Sequence, residues 1–311
     1  MDLYKITVSL KSPLATPLKG DTIWGHIVWG IANNEGDEKV AEFLELSKTS
    51  TPPLIVSSAF PKGKISKHIP NVKPREDYMS KDKYAEIKQA KKEKFVCACE
   101  YLDLPPFSEN ENESGSFSSF ATTRNSINRM TNSVIDDGGL YSVNEFWTET
   151  KDWDIYLRSS LDKKRINQLF EWAFEFGYGA DASVGRGNIA VLQNSLTQIQ
   201  PKAKSKNGGD GSQKYMALAP FVIGKNDEIN NLRANIFVRN GKIGGAFGGV
   251  LSPYKKGVIL YDEGAVFESK NTQIMFVGEL LENVHSDEKI KQSGFAPVIP
   301  IDDDCSPLLN T

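Results

Sequence analysis

The sequence predicts an α+β fold with two ferredoxin-like (RRM-like) domains, the second of them degenerate. First, once two inserts are set aside, residues 1–200 run strand-helix-strand-strand-helix-strand. Second, the segment QPKAKSKNGGDGSQK is rich in Gly, Ser and Lys, which is typical of a linker. Third, the last hundred residues are strand-rich. The chain of 311 residues therefore divides into domains at 1–200 and 215–311, joined by residues 201–214.

The first domain begins with an alternating strand, MDLYKITVSLK, and a proline-broken loop, KSPLATPLKG. Asp21 is expected to cap the next helix, TIWGHIVWGIANN, because its apolar residues form one stripe directly after that position. A second helix is predicted over about Asp37 to Ser47. The segments PPLIVSSAF and WDIYLRS predict two further strands.

The last helix of this domain is predicted in SSLDKKRINQLFEWAFEFG, where apolar residues recur at helical spacing from Leu161 to Phe176. Ser159 or Ser160 is expected to cap its start, and the glycine after Phe176 to end it. A short strand at 188–192 follows.

Two inserts interrupt this order. Residues 61–94 are dense in lysine and poor in core residues, so most are expected to be solvated; as a group, the lysines from Lys62 to Lys94 are candidates for phosphate contacts. Residues 117–148 predict a long hairpin arm, with a turn at 136–139 and LYSVNEFW as the returning strand. In the second domain, Asn240-Gly241 predicts a tight turn.

Composition limits the possible classes of function. The net charge is -3, so nucleic acid binding needs local basic patches or basic partners. Cys97, Cys99 and Cys305 form no disulfide framework, which indicates a reduced, cytoplasmic chain. No segment resembles a signal peptide or reaches membrane-spanning length, so no membrane association is expected.

The most informative segment is GYGADASVGRGNIAV, which follows a helix and leads into a strand. Gly177, Gly179 and Ala182 match a dinucleotide fingerprint, but that motif must leave a strand and open a helix. Two interpretations remain open. The segment is either a turn without a ligand or a glycine-rich surface that another backbone, such as an RNA strand, can approach.

No catalytic constellation, metal-ligand spacing or cofactor motif is visible, which favours a protein that is not an enzyme and holds no metal or cofactor. His26 is the one weak catalytic candidate, as a general base for RNA cleavage. A structural role for His26, within its helix, is favoured over catalysis.

The arm contains the segment RNSINRMT, whose side chains are suited to contacts with nucleic acid. Arg124 and Arg129 have guanidinium groups suited to phosphates or base stacking. Asn125 and Asn128 have amides suited to sugar and base edges. A polar hairpin with structural side-chain bonds is the alternative.

Together these motifs resemble the RAMP superfamily of CRISPR systems. The resemblance rests on SPLATPLKGDTIWGHIVWG, the arm RNSINRMT…GGLY, the glycine pattern, and the ending GFAPVIPI, and it spans nearly the whole chain. It is strongest with the type III-A Csm subunit that caps the 5′ end of the crRNA.

The resemblance implies two ferredoxin-like domains, a non-catalytic role, and a grip on the repeat-derived 5′ tag of the crRNA. It implies that the arm acts as a thumb near the guide–target RNA duplex. It implies contacts with the large polymerase-like subunit and with the type III backbone RAMP subunit. The residues that it assigns to RNA are Gly177, Gly179, Gly185, Arg186 and Gly187 in the loop, and Arg124, Asn125, Asn128 and Arg129 in the arm. The alternatives are a RAMP endoribonuclease that processes precursor crRNA with His26 as base, a capping subunit of another type III subtype, and a pure protein adaptor.

Overall fold

The computed structural model describes residues 1–70, 88, 93–106, 117–135, 137–202, 211–244 and 252–302. Three α-helices lie entirely within these ranges: α1 (Gly20–Glu35), α2 (Asp37–Ser47) and α3 (Lys163–Phe174). The strands of the first half are β1 (Asp2–Leu10), β2 (Leu54–Pro61), β3 (Lys64–Ser66), β4 (Phe95–Cys97), β5 (Ser118–Asn125), β6 (Ile127–Asn128), β7 (Ser133–Val134), β8 (Leu140–Trp147), β9 (Asp152–Ser159), β10 (Ile189–Val191) and β11 (Thr197–Ile199). Those of the second half are β12 (Gln213–Ala217), β13 (Asn230–Arg233), β14 (Ile236–Arg239), β15 (Val258–Tyr261), β16 (Val266–Ser269), β17 (Phe276–Val277), β18 (Leu280–Leu281), β19 (Gln292–Ser293) and β20 (Ala296–Ile301).

The first half builds one antiparallel sheet with the spatial order β10-β1-β9-β2, and β11 also pairs with β1. α1 connects towards β2, α3 connects β9 to β10, and the two helices pack against each other. The predicted strand-helix-strand-strand-helix-strand order is therefore what the structure shows. The layer between helices and sheet is apolar, and its fully buried members include Ile6, Trp24, Ile155 and Phe170.

The predicted cap of α1 is wrong. The helix begins at Gly20, so Asp21 lies inside the first turn and makes no capping hydrogen bond. Its carboxylate instead accepts two hydrogen bonds from Arg239, at 2.9 Å from Nε and 3.0 Å from Nη2. Asp21 thus forms a bidentate ion pair with an arginine of the second half instead of a local capping hydrogen bond. Sequence periodicity cannot reveal such a distant partner.

The predicted start of α3 is also wrong. Its cap is Asp162, whose side chain accepts the N–H of Arg165 at 2.9 Å, whereas Ser159 donates to the carbonyl of Pro53. At the other end the apolar stripe stops at Phe174. Phe176 is 69% exposed, because the chain has left the helix two residues earlier.

The second half is strand-rich, as predicted. Its main sheet has the order β13-β16-β12-β20-β17, and the described residues at 211–244 and 252–302 contain no helix. The second ferredoxin-like copy therefore stays a prediction. The tight turn at Asn240-Gly241 is wrong, because β14 pairs with β15 across a much longer connection. Residues 203–210 of the predicted linker lie outside the described residues, and β12 already begins at Gln213.

The two halves share a buried apolar cluster. The face of the first sheet opposite the helices contributes Leu3, Phe60 and Tyr156, and the second half contributes Met216 and Ile299. All five side chains are at most 1% exposed. Burial of apolar surface is the main favourable term in folding, so this cluster fixes one half against the other.

The cysteines depart from the sequence interpretation. Cys97 at the end of β4 and Cys99 in the following turn form a disulfide, with a Cα–Cα separation of 5.2 Å. This separation lies within the range that a disulfide requires. Cys305 lies outside the described residues.

The predicted arm is confirmed as a hairpin. β5 and β8 pair antiparallel over eight residues each, from Ser118 opposite Trp147 to Asn125 opposite Leu140. The short strands β6 and β7 form its tip. Asp136 of the predicted turn lies outside the described residues. None of the described helices is long and apolar enough to span a membrane.

Candidate nucleic-acid interface

The glycine loop, residues 177–187, has a backbone that depends on left-handed conformations. All four of its predicted glycines have positive φ, with values of 83° at Gly177, 74° at Gly179, 86° at Gly185 and 66° at Gly187. Asp181 has a φ of 61°, which is unusual for a residue with a side chain. The segment folds into a compact turn with one short 3₁₀ helix, Ala182–Val184, before β10.

Three of the four glycines are packed against the protein itself. A Cβ atom on Gly187 would lie 2.0 Å from the carbonyl oxygen of Tyr178, and one on Gly179 would lie 2.5 Å from Cβ of Thr16. A Cβ on Gly177 would lie 2.9 Å from that of Ala182. Gly185 differs, because nothing lies within 4 Å of its Cβ position. Close approach of an external backbone is therefore possible at Gly185.

The proline loop, residues 12–19, carries the glycine loop. The carbonyl of Pro13 accepts the N–H of Gly187 at 2.9 Å, and Oγ1 of Thr16 accepts the N–H of Ala180 at 2.9 Å. The hydroxyl of Tyr178 donates to the carbonyl of Pro17 at 2.8 Å. These N–H groups are occupied within the chain, so an RNA ligand would have to be held by side chains and by the outer turn.

The same proline loop also holds the base of the arm. Leu14 and Phe146 of β8 exchange both backbone hydrogen bonds, at 2.8 and 2.9 Å. Three segments that are far apart in sequence thus meet at one place: the proline loop, the arm and the glycine loop. Each of them is among the motifs that carry the sequence resemblance.

His26 fixes the position of the glycine loop. Its Nε2 accepts the N–H of Gly179 at 3.0 Å, and its ring lies against that of Tyr178, with centroids 4.8 Å apart. Burial lowers the pKa of His26 to about 4, against a smaller opposing effect of a hydrogen bond with the backbone of Ala173. Because Nε2 is an acceptor, the ring proton lies on Nδ1, and both nitrogens are engaged within the protein.

We expect the stability of the protein to fall between pH 6.5 and pH 4 in a way that depends on His26. The unfolded state takes up a proton near pH 6.5, whereas the folded state does so only near pH 4. The contribution of neutral His26 is therefore present above pH 6.5 and lost as the pH falls, by on the order of 3 kcal/mol. Urea unfolding of the wild type and of His26→Gln at several pH values measures this loss. The same dependence of the unfolding free energy on pH in both proteins would contradict the prediction.

Arg124, Arg186, Asp181 and Glu145 form one ion-pair network between the arm and the glycine loop. Nη2 of Arg124 donates to Oε1 of Glu145 at 2.8 Å, and Nε of Arg186 lies 2.8 Å from the same oxygen. Nη1 of Arg124 donates to Oδ2 of Asp181 at 2.9 Å. The side chain of Glu145 is fully buried. Burial raises the pKa of this carboxyl, but its interactions with the guanidinium groups of Arg186 and Arg124 outweigh this and keep the pKa below the usual range.

The tip of the arm is open to solvent. Arg129 is exposed and has no ion pair with any described residue, and Asn125 is exposed as well. Asn128 accepts the N–H of Met130 at 2.9 Å, which forms a local turn. Met130 is 95% exposed, and it lies beside other exposed apolar side chains of the tip.

The structure therefore separates the sequence-predicted residues into two groups. Arg124, Arg186 and the glycines are brought together beside the proline loop, whereas Arg129, Asn125 and Asn128 lie along the arm and its tip. In the lysine-rich insert, residues 71–87 and 89–92 lie outside the described residues, and Lys62 contacts Asp152 at 3.3 Å. The assignment of these residues to RNA stays a prediction.

Sequence reasoning missed Glu145, Asp181 and the exposed ring of Phe176. Glu145 and Asp181 acquire their partners only when distant segments meet. The exposure of Phe176 does not depend on a distant segment. The glycine directly after it is a local signal that the helix ends near this point. Among the described residues, no group of three or more His, Cys, Asp or Glu side chains is placed to hold a metal ion.

Solved chains with this architecture cover nearly all of the protein. A chain of a Csm1–Csm4 cassette in complex with pppApA matches with a TM-score of 0.57 and 17% identity, over 96% of this chain and 98% of that one. A chain of a Csm3–Csm4 subcomplex of the type III-A CRISPR–Cas interference complex matches with a TM-score of 0.53 and 12% identity, over 97% and 100%. This chain has their fold.

A Csm1–Csm4 cassette in complex with cA4 gives a TM-score of 0.56 at 17% identity, over 96% of this chain and 98% of that one. Csm4 is the component common to all three complexes, so the resemblance to a type III-A Csm subunit extends to the fold. Neither a protein-family model nor a curated protein sequence matches the chain.

Proposed function

We propose that this protein is the crRNA-binding capping subunit of a type III CRISPR effector complex. It grips the repeat-derived 5′ tag of the crRNA and joins the large polymerase-like subunit to the first backbone subunit. The observation that carries the proposal is the convergence of the proline loop, the arm and the glycine loop in a chain with a Csm-type fold. The second half, in this proposal, is a degenerate ferredoxin-like domain.

Several side chains at this junction suit RNA rather than a small ligand. Phe176 directly before the glycine loop and Val184 within it are exposed, and nothing lies within 4 Å of the Cβ position of Gly185. An exposed aromatic ring is a stacking platform for an unpaired base, and every base offers a π face. Single-stranded RNA such as a 5′ tag presents its bases in this unpaired form.

The arm suits a position near the guide–target duplex. Arg129 has an exposed guanidinium group for phosphate or base contacts, and Met130 presents an apolar side chain at the tip. Apolar side chains between base steps act as wedges in other nucleic-acid complexes. The proposed thumb role of the arm follows from this combination.

Protein partners are supported by a second exposed surface. Ile236, Val238 and Ile259 lie on one face of the β14–β15 ladder and are 59–66% exposed. Their opposite face is fixed to the first half through Arg239 and Asp21. An aliphatic patch of this kind favours a protein contact over an RNA contact, because these side chains offer neither a charge for phosphates nor a π face for bases.

A nuclease role for His26 is disfavoured by its contacts. A general base must reach the proton that it removes, and both ring nitrogens of His26 are already engaged with the backbone. We therefore propose a binding role without catalysis. The endoribonuclease alternative predicts metal-independent cleavage of repeat RNA by the purified chain, lost in His26→Gln.

The test is co-expression of the tagged chain with the large and backbone subunits and a CRISPR array, followed by sequencing of the RNA that co-purifies. We expect short RNAs with one uniform, repeat-derived 5′ end in a complex that contains both protein partners. In Arg129→Ala we expect weaker RNA retention and a salt dependence of binding reduced by about one unit of slope, as for the loss of one phosphate contact.

Lys39→Ala is the matched control, because Lys39 is an exposed cation on α2 with only an exposed partner, Glu42. It removes the same charge and is expected to leave RNA retention unchanged. Purification of the chain alone with repeat-cleaving activity would instead support the endoribonuclease. A complex with both protein partners and no RNA would support the protein adaptor.

A further inference from the structure

The guanidinium group of Arg124 is held by two acids in different surroundings. Its Nη2 donates to the fully buried Glu145, whereas its Nη1 donates to Asp181, whose side chain is 32% exposed. The first contact is closed to solvent, and the second faces the outside. One edge of Arg124 is therefore fixed, and the other is within reach of a ligand.

Asp181 is placed by its backbone rather than by its side chain. Its carbonyl oxygen accepts the N–H groups of Val184 and Arg186, so the main chain stays in position whatever the carboxylate binds. The carboxylate has Arg124 as its hydrogen-bond partner among the described residues, at 2.9 Å. Moving this one side chain would leave the turn intact.

The network also carries no net charge, since two arginines, Arg124 and Arg186, face two carboxylates, Asp181 and Glu145. A phosphate that approached Arg124 would be repelled by Asp181. Carboxylate and phosphate oxygens bind a guanidinium edge in the same way, so either can occupy Nη1. A phosphate can therefore accept the hydrogen bond from Nη1 of Arg124 only when the carboxylate of Asp181 has moved away.

We propose that Asp181 is an internal substitute for an RNA phosphate. In the free protein its carboxylate occupies the outer edge of Arg124, and on RNA binding a phosphate oxygen replaces it while Glu145 keeps the inner edge in place. This inference rests on the proposed function, since it assigns one phosphate subsite within the proposed RNA surface. The contact keeps Arg124 oriented before RNA arrives, and it limits affinity for other anions.

The test is Asp181→Asn in the full-length chain. Asparagine tolerates the left-handed backbone well, so the loop is expected to keep its fold. We expect a repeat-derived 5′-tag RNA to bind about three- to fivefold more tightly, because the repulsion is removed and a neutral amide oxygen holds Nη1 of Arg124 less strongly than a carboxylate does. Fluorescence anisotropy across a potassium chloride series measures both the affinity and its salt dependence, which is expected to steepen.

Two further variants separate this effect from a general change of charge. Glu175→Gln removes an exposed acid close to the same loop and is expected to change affinity by less than Asp181→Asn. In an Arg124→Lys background, which lacks the second edge, the gain from Asp181→Asn is expected to fall to the size seen with Glu175→Gln, because only the change of charge remains. Equal or weaker binding by a folded Asp181→Asn chain, or a gain of undiminished size in the Arg124→Lys background, overturns the inference. If no variant and no wild-type chain or complex retains RNA, the proposed function itself fails.

Discussion

Glu145→Gln is expected to loosen the arm from the glycine loop. The buried carboxylate holds Arg124 and Arg186 on one oxygen, and glutamine has a similar size but no charge. Arg186 would then lose Glu145 as its counter-ion and Arg124 would keep only Asp181, which is costly at a largely buried junction. We expect faster amide hydrogen exchange in β5, β8 and the glycine loop, a melting temperature lower by roughly 5 °C, and loss of RNA retention.

Glu149→Gln is the matched control for this change. Glu149 follows β8 closely but is exposed, so the same chemical substitution is expected to leave exchange and melting unchanged. If the arm of Glu145→Gln kept wild-type protection, the network would not be what orients it. Protection lost in β5 and β8 alone would place the effect in the arm and not in the junction.

Gly187→Ala is expected to disrupt the glycine loop far more than Gly185→Ala. Both residues have positive φ, so each alanine carries a backbone cost of about 1–2 kcal/mol. At Gly187 the new Cβ would also lie 2.0 Å from the carbonyl oxygen of Tyr178, so the loop must rearrange. We expect a total loss of about 3 kcal/mol or more for Gly187→Ala, measured by urea unfolding.

The same pair of variants separates packing from RNA contact. Gly185→Ala places its methyl group in open space, so the chain is expected to fold with only the backbone cost. If RNA backbone passes close to this position, folded Gly185→Ala loses RNA retention. Unchanged retention would show that the open space at Gly185 is not used, and equal destabilisation by both alanines would contradict the packing argument.

Local patterns predicted most of the first half. Alternation in MDLYKITVSLK, the apolar stripe of α1 and the returning strand LYSVNEFW each depend on neighbouring residues, and each is found where it was expected. The errors lie where a distant partner competes with a local rule. Asp21 binds Arg239 rather than capping its helix, and Asn240-Gly241 lies in a long connection because β14 pairs with β15.

The candidate site was predicted as a set of motifs but not as an arrangement. The glycines and arginines were identifiable from residue type and spacing. The contacts that these residues make within the chain were not predictable, because those contacts depend on which carboxylates and carbonyls the fold brings to them. Glu145 is one acid in an alternating strand. It lies opposite Phe120 in the β5–β8 register, and the contact with Arg124, four positions along β5, is made by the side chains.

The apolar cluster shared by the two halves has a mechanical consequence. Leu3 and Tyr156 on one side and Met216 and Ile299 on the other pack together in one buried cluster. We therefore expect a force on the β14–β15 face to reach the proposed RNA-binding side as a rotation of the whole body. In an assembly of several subunits, a displacement of the neighbour on one surface of such a chain would then displace the neighbour on its other surface.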